Sequence, residues 1–526
     1  MYLTTIINFL DQDENAIILE QEAISTYTTL PGVRLKSLVY MDNLGYRYYK
    51  NNSRNNKIYL VCENQKNRTE FCPTTAIISV DMKENWIRTN RNHNHYPPVV
   101  DIPMVHLRRS IGLAGTSTGR TSNSIRNIYN NEIIANPDGA RNYTFLQSQA
   151  SVQRMRHCRR PPNPDTIEDL AGILNEHMAY ASTLQHPPSR FFQQLFEAEG
   201  ETVGLVFFNL DAIEKYRNEL LSVRVAGIDG TFKTVPKCPS QLTNGCLLTF
   251  HVLFHNVSFP MVYALTSKMT QATYESFFHI VLRILPLNYA QLTIVTDYER
   301  GLMNAVRSIF NESNLQGCWF HFCQAVIRYC RRTLNSVFHL FQNSPEANRV
   351  LRMVLALPHL PAEVHPECQF TMAEGFNTII EYANGIEEIS ERLQGFLIGY
   401  IQQFWFNQIG ASCISVFGSD IRTNNYLESF HSTLLSQLGR HPNIWDYMPR
   451  LLSIENQYYI EMGQARRNLT IRNNTTRVRR AETSSNIRHY LQLLNEEQDI
   501  LMFLRRAGHT MDGYNERQLG PRPLEP

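Results

Sequence analysis

Apolar residues along this chain change their spacing several times, and each change marks a different kind of element. Downstream of Leu38 they fall in short aromatic and β-branched runs: YRYYK (Tyr46–Lys50), IYLVC (Ile58–Cys62), TAIISV (Thr75–Val80) and WIRT (Trp86–Thr89). Asn-rich turns separate several of them, and the pattern predicts a small antiparallel sheet over residues 36–98. Residues 1–35 show no comparable pattern and read as a lead. Residues 99–140, after Pro97-Pro98 and with GTSTGRTSNS inside, read as a linker. Residues 141–202 read as a basic, helical region, with Ile167, Leu170, Ile173, Leu174 and Met178 at helical spacing and Phe191–Leu195 placed with them.

From residue 203 the pattern alternates between continuous apolar runs and helical periods. GLVFFN (Gly204–Asn209), Val223–Ile228, Leu247–Phe254, Phe259–Leu265 and Leu292–Thr296 read as strands, the continuous runs being those of strands buried on both faces. Tyr274–Leu285 and Leu302–Phe310 read as helices. Over 335–420 only helical periodicity remains (Val350, Leu351, Val354, Leu355; Leu393, Phe396, Leu397, Tyr400, Ile401). A further helix is expected near Arg422–Leu438, capped by Asn424 or Asn425. Residues 461–526 read as a basic tail, disordered from about 508. The predicted class is α/β (α+β overall), with a mixed domain at 203–334 and 421–460 interrupted by all-α residues.

Bulk properties narrow this picture only a little. With 526 residues, 43% hydrophobic and 19% charged, the chain suits several globular domains rather than disorder. A net charge of +2 means that any nucleic-acid surface depends on local clustering. Arg141–Arg160 supplies one cluster (Arg154, Arg156, Arg159 and Arg160 among five arginines, no acid). Arg466–Arg488 supplies another, with Arg477, Arg479 and Arg480 among seven arginines against Glu482. Each suits phosphate contact or an ordinary solvated helix face. The ten cysteines form no dense framework, and the start of the chain lacks a signal-peptide pattern, so a reducing compartment is expected. His251, His255, Asn256 and Pro260 break the most apolar stretch, so no membrane span or membrane partner is expected.

Two constellations carry chemistry. Asp229 and Asp297 each end a buried apolar run, 68 residues apart. Carboxylates at the ends of adjacent strands can face one another and hold divalent cations for phosphoryl transfer; either is also an ordinary strand-end acid. Cys62, Cys72, His93 and His95, spaced C-x9-C-x20-H-x-H, offer two thiolates and two imidazoles suited to tetrahedral zinc. Two buried cysteines beside a polar NHNH loop are the alternative.

The segments DGTFKTVP (Asp229–Pro236), TDYERGLMNAV (Thr296–Val306), GCWFHFCQAV (Gly317–Val326) and NNYLESFH (Asn424–His431) resemble Mutator-like (MULE) transposases over roughly residues 203–460. The resemblance implies an RNase H-like catalytic domain split by a helical insertion. It also implies a DDE triad of Asp229, Asp297 and Glu428, with Glu428 lying 131 residues beyond Asp297. Asp229 would bridge two Mg²⁺ or Mn²⁺ ions and the other two acids would hold one each, for DNA cleavage and strand transfer. Glu299 would be auxiliary, and Cys318 and His321 an accessory C-x-x-H pair; His251 and His431 are expected to be structural. Residues 36–98 resemble a FLYWCH zinc finger, with Tyr46, Tyr48 and Tyr59 near its favoured aromatic positions and Leu60 a departure where the family has Trp. That implies structural Zn²⁺ on Cys62, Cys72, His93 and His95, and DNA or protein binding. The expectation is therefore a nuclear transposase acting on double-stranded DNA at terminal inverted repeats, as a homo-oligomer. A domesticated DNA-binding regulator without transposition activity is the alternative, and a nuclease without joining activity a third reading.

Overall fold

The computed structural model describes residues 23–520, apart from 34–36, 81–84, 117–123, 158–159, 256, 420 and 472–473. The chain forms two compact units, residues 1–160 and 161–526.

In the first unit six strands close into an antiparallel barrel: β1 (Ala23–Pro31), β2 (Leu38–Asp42), β3 (Arg47–Arg54), β4 (Lys57–Cys62), β5 (Thr75–Ser79) and β6 (Trp86–Thr89). Side chains alternate between inside and outside, and Tyr27, Tyr40, Tyr48, Ile58, Leu60, Ala76, Ile78 and Ile87 fill the interior. The β3–β4 hairpin turns through Asn55 and Asn56, both with positive φ, which suits the twist of a two-residue loop. The antiparallel sheet expected here forms as a barrel. It closes because β1, from the stretch read as a lead, pairs with β2 on one side and β6 on the other and leaves no edge. Residues 99–140 are likewise not a linker. They contain helices α1 (Ile102–Thr116) and α2 (Ile125–Ala135), which with α3 (Phe145–His157) bury Leu107, Ile111, Ile128, Tyr143 and Val152. The Pro- and Gly-bearing segments beside these helices concealed their apolar spacing.

The second unit is built on a seven-stranded sheet of β7 (Phe192–Ala198), β8 (Glu201–Phe208), β9 (Val225–Thr231), β10 (Cys246–Phe254), β11 (Val257–Thr266), β12 (Thr293–Thr296) and β13 (Asn314–Gly317). Its order is β13-β12-β9-β10-β11-β8-β7. β12 runs parallel to both β9 and β13, and the remaining pairs are antiparallel. Phe192–Ala198 is thus an edge strand rather than the helical segment expected, whereas Ile167–Glu176 is a helix, α4, capped by Thr166. β10 and β11 are buried along nearly their whole length, because helices cover both faces. Adjacent residues of β10 show the two faces: the Phe250 ring lies 6.1 Å from that of Phe310, while the His251 ring lies 4.6 Å from that of Phe430. Phe310 directly follows α6 (Arg300–Ile309), which packs with α5 (Gln271–Ile284). Phe430 belongs to α8 (Asn425–Leu438), which packs with α9 (Ile444–Arg466).

Between α7 (Trp319–Arg332) and α8 the described residues form helices and loops without a strand and build a core of their own. It includes a π-helix, Leu397–Ile409, whose Trp405 meets the rings of Tyr298 and Phe322. That core also takes Ile487, Leu494, Phe503, Leu504, Ala507 and Leu519 from residues expected to form a tail. The buried Arg352 pairs with Asp512, inside a stretch read as disordered that holds the helix Asp512–Leu519. Residues 521–526 lie outside the described residues.

Gly227 lets α8 approach β9. A Cβ there would lie 2.3 Å from Tyr426 Oη and 3.1 Å from Leu427 Cδ1. Gly227→Val is expected to push the helix outward and cost about 1–3 kcal/mol. Urea denaturation measures this, and an unchanged midpoint would refute the close-packing argument.

Candidate functional sites

The barrel presents one four-residue cluster. Cys62 ends β4, Cys72 follows the loop that returns to β5, and His93 and His95 follow β6. Their donor atoms all lie within 4.8 Å of one another, and no other such His/Cys/Asp/Glu group occurs among the described residues. Cys62 Sγ is 3.2 Å from His95 Nε2, Cys72 Sγ is 3.4 Å from His93 Nδ1, and those two nitrogens are 3.3 Å apart. A tetrahedral ion with bonds of about 2.0–2.3 Å needs donors at such separations.

The surroundings also fix the tautomers that a metal requires. Tyr48 donates its hydroxyl proton to Asp42 Oδ2 at 2.9 Å, so its oxygen accepts from His93 Nε2–H at 2.7 Å. The Nδ1 lone pair of His93 is thereby left facing the thiols. His95 Nδ1–H donates to the Tyr96 carbonyl at 2.8 Å, which turns its Nε2 lone pair the same way. The Tyr46 ring stacks on His93 at 3.8 Å. Burial and the neighbouring His95 lower the His93 pKa to about 4, and burial pushes the Cys62 thiol up to about 12. An ion bound here must therefore displace thiol protons. This donor set and its supporting shell fit zinc. Asp42 was not marked by the sequence, and Tyr48 was marked only as an aromatic position.

The second site lies at one end of the seven-stranded sheet. Asp229 is in β9 and Asp297 follows β12, whose Val295 pairs with Gly227, so the two acids leave adjacent parallel strands in register. Glu428 is in the first turn of α8, next to the Leu427 that packs over Gly227. Burial, then the nearby charge of Asp297 and, less strongly, those of Glu428 and Glu299, push the Asp229 carboxyl up to about 7 against one backbone hydrogen bond from Gly230. The fold thus brings these three acids together with a fourth, Glu299. Tyr274 donates to Glu299 at 2.9 Å, and the Glu299 backbone N–H donates to Asp297 Oδ1 at 3.1 Å.

Two imidazoles face these acids. His321 Nε2 lies 3.5 Å from Glu428 Oε1, and His431 Nδ1 lies 3.6 Å from Asp229 Oδ2. Burial lowers the His431 pKa to about 4, which leaves that ring neutral at pH 7. His251 is fully buried and hydrogen-bonded through both nitrogens, to Ser258 and Thr249. Cys318 Sγ accepts the Asn424 backbone N–H at 3.3 Å, and burial pushes this thiol up to about 12. Asn424 stands at the N-cap, but its side chain makes no capping bond; its backbone carbonyl accepts from Leu427 and Glu428.

The arginine clusters are less uniform than their sequence suggests. Arg154 is exposed, whereas Arg156 donates to the Gly115 carbonyl at 2.8 Å and so braces α3 against α1. Arg160 is half-buried. Arg159 lies outside the described residues, as do the side chains of Arg477, Arg479 and Arg480.

Comparison with known families gives two matches. Residues 225–325 match the MULE transposase domain, and residues 34–95 match the FLYWCH zinc finger domain. The first match covers Asp229, Asp297, Cys318 and His321 and ends before Glu428; the second covers all four Cys/His residues. Together they support a transposase-related DNA-binding protein carrying a FLYWCH finger ahead of a MULE transposase domain. No curated protein matches the chain. Among the described residues, no helix is long and apolar enough to cross a membrane.

Two outcomes are expected. The purified protein should carry one zinc per chain by metal analysis, and Tyr48→Phe should weaken zinc binding about 10–100-fold in a chelator competition; unchanged affinity would refute the role given to Tyr48. The second concerns pH. Because Asp229 has a raised folded pKa, its favourable contribution is complete below the unfolded value and is lost as pH rises through about 7. Without added divalent cations, Asp229→Asn should therefore gain stability relative to wild type between pH 5 and pH 8, by up to about 3 kcal/mol. Parallel urea midpoints at both pH values would contradict this.

Proposed function

We propose that the protein is a Mutator-like DNA transposase with an RNase H-like catalytic domain. In this reading Asp229, Asp297 and Glu428 form a DDE triad that acts with Mg²⁺ or Mn²⁺ to cleave and rejoin DNA. The observation that carries the reading is the convergence of three carboxylates at one sheet end, two of them inside the stretch that matches the MULE domain. The central strand order β11-β10-β9-β12-β13, with β12 and β13 parallel to β9, supports the RNase H-like assignment, since the first, second and third strands of that domain form a meander and the fourth joins the first.

The donor set is made of hard oxygens, which suit Mg²⁺ or Mn²⁺. Cations held there would activate the attacking oxygen and stabilise the leaving one. The protein's part is to hold the acids. The Glu299 N–H fixes one oxygen of Asp297, the Gly230 N–H fixes Asp229 Oδ1 at 2.8 Å, and Glu428 approaches on the first turn of its helix. Burial and, after it, the nearby charge of Asp297 raise Asp229, and a bound cation would offset both. The finger and exposed arginines such as Arg154 would contact DNA, with terminal inverted repeats as the specific substrate, a homo-oligomer as the active form and the nucleus as the place of action.

The test is cleavage of DNA from the ends of the protein's own locus by wild type, Asp229→Asn and Glu428→Gln with Mn²⁺. Wild type should cut, and each variant should be slower by about 10³-fold, the scale of losing a principal electrostatic group. Equal binding by all three proteins with no cutting would overturn the catalytic reading in favour of a DNA-binding regulator, and cutting without joining would mark a nuclease.

A further inference from the structure

We propose that His431 is a positioning residue for Asp229, fixing the orientation of that carboxylate across the gap between α8 and β9; this rests on the reading of Asp229 as a metal-holding group. His431 lies three residues beyond Glu428 on α8, so both side chains project from one helical face toward the sheet end. Its Nδ1 is 3.6 Å from Asp229 Oδ2, and its side chain is only 16% exposed.

The two oxygens of Asp229 meet different surroundings. Oδ1 accepts the Gly230 backbone N–H at 2.8 Å, while Oδ2 faces the imidazole. The other ring nitrogen, Nε2, is buried with no hydrogen-bond partner. At 3.6 Å the contact is electrostatic rather than a formed hydrogen bond, and with Asp229 ionised the favoured tautomer carries its proton on Nδ1, directed at Oδ2. The ring cannot swing toward His251 for a partner, because the nitrogens of His251 are already engaged by Ser258 and Thr249. Helix α8 therefore brings two functions to the site: Glu428 as an acid, and His431 as a brace on the acid opposite. Such braces matter because a misplacement of about 1 Å in a reacting constellation costs about 10²-fold, and loss of an outer partner weakens metal binding about 10–100-fold.

The test uses the zinc-loaded full chain and Mn²⁺ as the probe, with affinity read by calorimetry and thermal unfolding recorded in parallel. In His431→Asn the side-chain N–H stands close to the position of Nδ1, and in His431→Gln it stands close to that of Nε2. The inference expects His431→Gln and His431→Ala to lose about 10–100-fold in Mn²⁺ affinity and His431→Asn to stay within a few-fold of wild type. If Asn and Gln lose affinity equally and in step with their unfolding temperatures, His431 is merely structural. If His431→Ala binds Mn²⁺ as wild type does while Asp229→Asn does not, the inference falls and the metal-site reading stands. If wild type itself binds no Mn²⁺ at this site, the metal-site reading falls and takes the inference with it.

Discussion

The acidic cluster depends on one junction, where the chain comes back from its long helical excursion. Residues 421–424 lie along the end of β13 and the start of α7, held by several hydrogen bonds. Gln316 Nε2 donates to the Ile421 carbonyl, the Trp319 N–H donates to the Arg422 carbonyl, and Cys318 Sγ accepts from Asn424. Cys318 is itself tied to β12, since its N–H donates to the Thr296 carbonyl beside Asp297. One cysteine thus joins the strand that delivers the second acid to the helix that delivers the third. A buried sulfur is a weak acceptor, but at a buried backbone N–H it removes the cost of leaving that donor unpaired.

Electrostatics oppose what this junction achieves. Packing buries Asp229 and draws three other carboxylates toward the same sheet end, and both effects raise its pKa, burial more than the neighbouring charges. The opposition is tolerated because the surrounding core is large and continuous, and Gly227 carries no side chain to meet Tyr426 and Leu427 of α8. The barrel resolves a similar conflict by a different route. Two thiols and two imidazoles converge there, and the Asp42–Tyr48–His93 relay orients them by hydrogen bonds from the barrel interior rather than by packing alone.

Much of the second unit was legible in the sequence because its strands are buried on both faces and read as unbroken apolar runs; Val223–Ile228 and Leu292–Thr296 delivered Asp229 and Asp297 to where the structure has them. Local pattern could not show that Ala23–Pro31 closes the barrel, since its partners lie at both ends of the sheet. Nor could it show that Phe192–Ala198 is a strand, because that edge strand is only half covered. The helices at 102–135 were hidden by neighbouring glycines and prolines, and the helices beyond 474 by arginines that mask their apolar positions. At the sites, residue types that bind metal stood out, whereas Asp42, the proton relay through Tyr48 and the contact of His431 with Asp229 did not. Those depend on side-chain direction from one element to another, six residues apart for Asp42 and Tyr48 and far more for His93 and His431, which no spacing rule encodes.

The late helices have a consequence for how the chain is made. Residues 487–519 complete the core that begins at Trp319, with Phe503 and Leu504 buried in it and Asp512 closing on Arg352. During synthesis the seven strands and all three acids leave the ribosome before those residues do. The helical excursion at 335–420 must therefore wait, its apolar surface uncovered, while the sheet is already available to fold. Seating of Glu428 in this sense depends on segments translated well after it, since the excursion's return is what places that acid. A nascent chain halted before residue 487 would carry every acid without the support that keeps them in register.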